Sequence, residues 1–348
     1  MGCSNCSRFD SNEMLIFKDL VKCVQKDDFK KVEKIIFDLA RQDKVEEIGK
    51  VVNQEIIPFD KGFVNLLAYV FLFGDFKVYT LIVIKLNGSL MAAEEILNRL
   101  GYVPINILCK RGALDLLKLY LPVYLSNFTR QEAQKSATLS FGTHTTIPET
   151  PLSPSAIQIA CAEGHLPLLS FIEGHFSVSC PPPTLDIHYI DEIRGENCAL
   201  ISVRTGNFVM IKYLFEVIHA DFHIRNNNNE SALQILAAAA KSKCAIRYLE
   251  CLMYLIEYIK IDITYMYEET LLLLECKISI QYMENKLREV GVMVKKKDIE
   301  KQYQNQIKTR KFPQQLTGKN FANDFHELSA IASNSYNSNL SSFYQFNK

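Results

Sequence analysis

One weak unit recurs along the chain, and it limits the fold to architectures in which neighbouring copies cover one another. The unit is a helix-like run, a Gly or Asp turn, an apolar or aromatic residue, and a second run with aliphatic-rich positions. Residues 20–24 precede Asp27-Asp28-Phe29, and Val32, Ile35 and Ile36 follow. Residues 66–73 precede Gly74-Asp75-Phe76, with Val78, Leu81 and Ile82 after them. The same order returns at Gly112-Ala113-Leu114, at Gly164-His165-Leu166 and at Gly206-Asn207-Phe208. Helix, tight turn and helix make an antiparallel pair. Neither helix can bury its apolar stripe alone, so pairs must stack. The expectation is an all-α chain.

Residues 219–236, HADFHIRNNNNESALQIL, show how one pair joins the next. Four successive Asn cannot hold a helix or strand interior, because their amides compete for the backbone and Asn tolerates left-handed dihedrals. Ser231 can cap the helix that follows, and Asp221 and Asn226 can close turns through side-chain-to-backbone bonds. This order resembles the junction between ankyrin repeats. There the family has Gly-Ala-Asp, a hairpin loop ending in Gly, and Thr-Ala-Leu-His. Here His219 replaces the first Gly, Asn229 the loop Gly and Gln234 the His. The run Ser155-Ala156-Ile157-Gln158-Ile159-Ala160-Cys161-Ala162-Glu163-Gly164-His165 is similar to the family's Thr-Ala-Leu-His…Ala…Gly-His. Glu196 and Glu230 open matching segments 34 residues apart, near the family period of about 33. Gly112 to Gly164 spans 52 residues and Gly164 to Gly206 spans 42. The resemblance covers about 15–293 and is specific for about 150–275. It implies an ankyrin-like solenoid of six or seven stacked antiparallel helix pairs.

Composition closes off other classes. The chain has 348 residues and 48% hydrophobic content, enough for a sizeable core. Lys+Arg and Asp+Glu are both 39, which argues against a nucleic-acid binder working through a general basic field. Ten Cys lie at irregular spacings, several in apolar runs, such as Cys109, Cys161, Cys244 and Cys251. In the absence of a secretory signal they imply a reducing, cytoplasmic setting. No apolar run is long enough to span a membrane; 63–86 comes nearest and is broken by Asp75 and Lys77.

Six segments follow from these features. Residues 1–12 form a flexible N-terminal segment. Residues 13–135 hold divergent helical repeats, 136–154 a Ser/Thr/Pro-rich insertion loop, and 155–293 the ankyrin-like repeats. Residues 294–324 hold a charged helix and linker, and 325–348 a Ser/Asn-rich disordered tail. Within the repeats, 179–183 (SCPPP) is expected to be a stiff extended connector.

Gly2 behind Met1, with Cys3 and Cys6 after it, resembles a myristoylation and palmitoylation signal. That pattern has Ser or Thr where Cys6 stands. Two acyl chains hold a protein on a membrane far more firmly than one, which would place the chain at the cytosolic face. The same residues also read as an unmodified terminus, or as half of a zinc site that lacks its other two ligands.

Other chemistry gives way to simpler readings. His219 and His223 have a metal-ligand spacing, but they flank a turn and no zinc-protease pattern accompanies them. Asp191 and Glu192 are adjacent acids on a polar loop, expected to be solvated. No phosphate-binding loop or nucleophile elbow is present, so no catalytic residue, metal or cofactor is expected. The expected function is a non-catalytic scaffold or adaptor that holds another protein. His188, Tyr189 and Glu192 in one junction, and Phe222, His223 and Arg225 in the next, are the candidate contacts. The alternative is an enzyme or regulatory effector whose active element lies in the divergent N-terminal half.

Overall fold

The structure, a computed structural model, describes residues 11–26, 28–60, 62–140, 154–177, 180–240 and 245–309. It is all-α apart from one small hairpin. The chain divides into two units, Met1–Lys296 and Lys297–Lys348.

In the first unit each recurring sequence unit becomes two helices. The first members are α1 (Ser11–Gln25), α4 (Leu66–Phe73), α7 (Pro104–Arg111), α9 (Ala156–Glu163) and α11 (Cys198–Thr205). Their partners are α2 (Phe29–Arg41), α5 (Phe76–Leu86), α8 (Leu114–Ser140), α10 (Leu166–His175) and α12 (Phe208–Glu216). Beyond them come α13 (Ala232–Ala240), α14 (Ala245–Glu257), α15 (Tyr267–Leu273) and α16 (Lys277–Glu289). The first members form a continuous row, with α1 on α4, α4 on α7, α7 on α9, α9 on α11, α11 on α13 and α13 on α15. In the second row α2 packs on α5, α5 on α8, α12 on α14 and α14 on α16.

Caps fix where these helices begin. Asn65, Asp75, Asn197 and Asn207 each accept from the backbone N–H three residues on, which satisfies a donor that the helix leaves open. Turns fix where they end. Gly112, Gly164 and Gly206 close α7, α9 and α11 with left-handed φ of 65, 84 and 61°. A Cβ at these sites would strike His165, Asn207 and Tyr248, respectively. Each turn is thus covered by a side chain from the next pair. Gly74 behaves differently, with φ of −86°. Its helix end is closed by Arg111, which donates to the carbonyls of Val70, Phe71 and Gly74.

α4 is buried from Leu66 to Leu72, with α1, α5, α6 and α7 around it, so it shows no amphipathic stripe. Burying each such Leu contributes about 1.5–3 kcal/mol. Among the described residues, no helix is long and apolar enough to cross a membrane. Cys109, Cys161, Cys198 and Cys251 are buried, and burial pushes the Cys251 thiol up to about 12. Cys244 lies outside the described residues.

The first half carries elements that the repeat pattern does not foretell. α3 (Val45–Val52) packs on α1, α2 and α5, and α6 (Leu90–Arg99) packs on α4 and α7. Strands β1 (Ile57–Phe59) and β2 (Gly62–Val64) pair antiparallel. These insertions separate the pairs of the first half in sequence while their helices stay neighbours in space; between Gly112 and Gly164 it is the 27-residue α8 that lengthens the spacing.

Several segment boundaries also move. α1 starts at Ser11, inside the segment expected to be flexible, and residues 1–10, with Gly2, Cys3 and Cys6, lie outside the described residues. α8 continues to Ser140, so the start of the expected 136–154 loop is helical, while 141–153 lie outside the described residues. Residues 180–182 of the expected connector carry no helix or strand, with Pro182 extended (φ −63°, ψ 152°), and a 3-10 turn, Pro183–Leu185, begins at its last residue; Ser179 is outside the described residues. In the second unit the described residues continue α17 (Lys296–Thr309), and the expected linker from 310 and tail to 348 lie outside them.

Candidate binding surface

Three junctions between pairs share one device. Asp186 accepts from the His188 N–H at 2.9 Å, Asp221 from the His223 N–H at 2.7 Å, and Asp262 from the Thr264 N–H at 2.9 Å. Each Asp closes a turn on its own backbone. The apolar residue between, Ile187, Phe222 or Ile263, is buried. The carboxylate of Asp262 is held below the usual Asp range, first by the Thr264 hydroxyl and then by the Thr264 backbone N–H; Arg225 adds to this. Of the three, only Asp221 was read from sequence as turn-forming; the recurring triplet Asp-apolar-His/Thr is the signal that would have found the other two.

The tract of four Asn ties two junctions together. Asn226 accepts from the N–H groups of Asn228 and Glu230 and shapes the turn. Asn227 donates from its amide to the carbonyls of Glu192 at 2.9 Å and Ile193 at 3.0 Å, and its backbone N–H donates to Arg194 O at 2.8 Å. Asn229 takes a left-handed φ of 62°, and His219 one of 56°. The Tyr265 hydroxyl donates to Asn229 O at 3.0 Å, and the Arg225 guanidinium lies 3.7 Å from the Tyr265 ring centre. The three junctions are therefore cross-bonded into one surface.

Buried glutamine amides fasten this surface to the helices. Gln158 accepts from the Ser155 N–H at 2.9 Å and donates to Glu196 O at 2.9 Å and Tyr189 O at 3.3 Å. Gln234 accepts from the Ser231 N–H at 2.8 Å and donates to Met266 Sδ at 3.4 Å. Glu196, also buried, pairs with Arg204 and accepts from Asn226.

The candidate contacts divide accordingly. His188, Glu192, His223 and Arg225 are exposed, and Tyr189 is half-buried. Phe222 is not surface: it is 1% exposed and packs edge-on against Phe215, 6.2 Å away, because its turn drives the central residue inward. Asp191 is not solvated either. It is buried and accepts from the N–H groups of Arg194 at 2.6 Å and Glu196 at 3.2 Å. His219 and His223 lie in a junction beyond the end of α12, not on a helix face. Ile190 and Ile193 were missed by sequence reasoning. They are exposed in the same junction as His188, Ile193 at 57%. An open groove of about 220 Å³ reaches His188 of this junction, walled also by Ile172, Phe176, Leu185 and Val217 among others. Among the described residues no cluster of His, Cys, Asp or Glu has metal-binding geometry. The surface offers aliphatic, imidazole, carboxylate and guanidinium groups on a hydrogen-bonded frame, a chemistry of docking.

No protein-family model matches this chain, and no curated protein matches it.

Proposed function

We propose that the chain is a non-catalytic scaffold or adaptor, an ankyrin-like solenoid of helix pairs whose junction surface holds another protein. The observation that carries this reading is the cross-bonding of successive junctions, which fixes His188, Ile193, Glu192, His223 and Arg225 on one frame. Two rows of helices and left-handed Gly turns support the repeat reading. So do His219 and Asn229, which adopt left-handed φ where ankyrin repeats have Gly. Gln158 and Gln234, at the His positions of the motif, both make the bonds that join a helix start to the next junction. Pre-formed surfaces of this kind lose little entropy on binding.

The test is site-specific photocrosslinking in cells. A photoreactive residue at Ile193 is expected to give a discrete protein adduct, and one at exposed Ile278 on α16 is not. No adduct at 193, or equal adducts at both, would refute the reading. We also propose that acylation at Gly2, with Cys3 and Cys6, tethers the scaffold peripherally to the cytosolic face of a membrane.

A further inference from the structure

Charge balances over the whole chain, with 39 basic and 39 acidic residues, but it does not balance over the surface. α2 and α5 pack on each other. Together they carry six cations, Lys30, Lys31, Lys34, Arg41, Lys77 and Lys85, against two carboxylates, Glu33 and Asp38. Their N-cap carboxylates, Asp28 and Asp75, accept from their own helix N-termini, and Asp28 also pairs with Lys31 at 2.7 Å.

α2 buries Val32, Ile36 and Leu39. Its opposite stripe runs Lys30, Lys34, Phe37 and Arg41, spaced as neighbours along one helix face. All four are exposed. Phe37 is 57% exposed, with the Arg41 guanidinium 4.6 Å from its ring centre. On α5, Ile84 is 68% exposed beside Lys85. Lys77 lies 5.7 Å from the Phe29 ring centre, so this cation of α5 adjoins the start of α2. Phe37 stands between Lys34 and Arg41, with Glu33 also beside it, and Ile84 next to Lys85. Protruding apolar side chains with cations alongside fit an anionic interface that takes both, apolar groups at the headgroup–acyl boundary and cations at the phosphates. α1 and α2 pack together across a short connection, so they run antiparallel and Ser11 lies at the Arg41 end.

We propose that the outer face of α2 and α5 is a docking surface for anionic phospholipid bilayers. Phe37 and Ile84 enter the interface, and Lys30, Lys34, Arg41, Lys77 and Lys85 meet the lipid phosphates. The contact stands on this face alone and needs no acyl chain on Gly2.

The experiment uses the full chain made without acyltransferases, so that its outcome is separate from that of the lipid anchor. The protein is sedimented with phosphatidylcholine vesicles with and without phosphatidylserine. Binding is expected only with phosphatidylserine, and weaker at high salt. Lys30→Glu with Lys34→Glu should lower partitioning by roughly tenfold or more. Phe37→Ser with Ile84→Ser should also lower it at unchanged charge. Lys212→Glu with Lys277→Glu, an equal charge change elsewhere, should not. Circular dichroism checks folding, and Lys30→Gln with Lys34→Gln replaces the reversal if that variant unfolds. Wild-type protein that stays with the supernatant would overturn the proposal. So would a control pair that lowers binding as much as the α2 pair, or apolar variants that bind like wild type.

Discussion

Gln158→Met isolates the polar fastening between a helix start and the next junction. The two side chains are close in volume, so cavity and overpacking contributions largely cancel. The amide is fully buried, and its loss strands the Ser155 N–H, which has no water to turn to. A stranded buried donor costs about 1–3 kcal/mol. Glu196 O also loses a donor but keeps the Asp191 N–H at 3.0 Å, so that loss costs about 0.5–1.5 kcal/mol. The long bond to Tyr189 O adds little. The expected cost is about 2–4 kcal/mol. Gln234→Met supplies the internal comparison. It strands the Ser231 N–H but gives up only a thioether acceptor, Met266 Sδ. Its cost should be lower by about 1 kcal/mol. Urea titration followed by circular dichroism reads both, with the slope unchanged if the unfolded states match. The reasoning fails if Gln158→Met stays within about 0.5 kcal/mol of wild type, or if Gln234→Met costs more.

The same titration tests the turns. Gly164→Ala forces Cβ into a left-handed φ of 84° and against Asn207, so it should cost more than about 1–2 kcal/mol. Gly174→Ala, in α10 with open space around it, should stabilise by about 0.5–1 kcal/mol; equal shifts would refute the assignment. His219→Gly relieves a non-Gly φ of 56° and should stabilise by about 0.5–1 kcal/mol after the entropy of Gly is counted; destabilisation would show that the imidazole matters more than the dihedral. Asp262 is depressed in the folded state, so the stability it contributes is present above its unfolded pKa and is lost as pH falls through the folded value. In Thr264→Ala its carboxyl resonance should titrate closer to the ordinary Asp range, and an unchanged midpoint would remove the Thr264 hydroxyl as the leading cause. In eukaryotic cells, Gly2→Ala should leave only the salt-sensitive attachment of the α2–α5 face, so that a high-salt wash moves the protein to the soluble fraction, while Cys3→Ser with Cys6→Ser should leave weak, reversible membrane binding that salt alone does not remove. A wild-type N-terminal peptide of unmodified mass would end the anchor proposal.

Local chemistry was legible where residues act on their own backbone. The Gly turns at 112, 164 and 206 and the turn-forming Asn tract were visible as residue types at fixed offsets, whereas the Ser231 hydroxyl, read as a helix cap, makes no hydrogen bond among the described residues, and the capping box forms at Ser155–Gln158 instead. The candidate surface was legible only in part. His188, Glu192, His223 and Arg225 are exposed, but Phe222 and Asp191 lie inside. The direction of a loop side chain depends on the turn geometry, and the Asp-apolar-His/Thr turn sends its middle residue inward.

Sequence by itself determined that this chain is helical, that its helices come in pairs, and where many of them start and stop. Those properties come from short-range periodicity, caps and left-handed turns, all settled within a few residues. Only the tertiary structure decided which pairs are neighbours once α3, α6 and the β1–β2 hairpin intervene. Only it decided that Asn227 reaches the 192–194 carbonyls, and that α4 is enclosed on all sides. These are contacts between residues far apart in sequence, and they are chosen by how surfaces fit when the chain closes on itself rather than by any local preference.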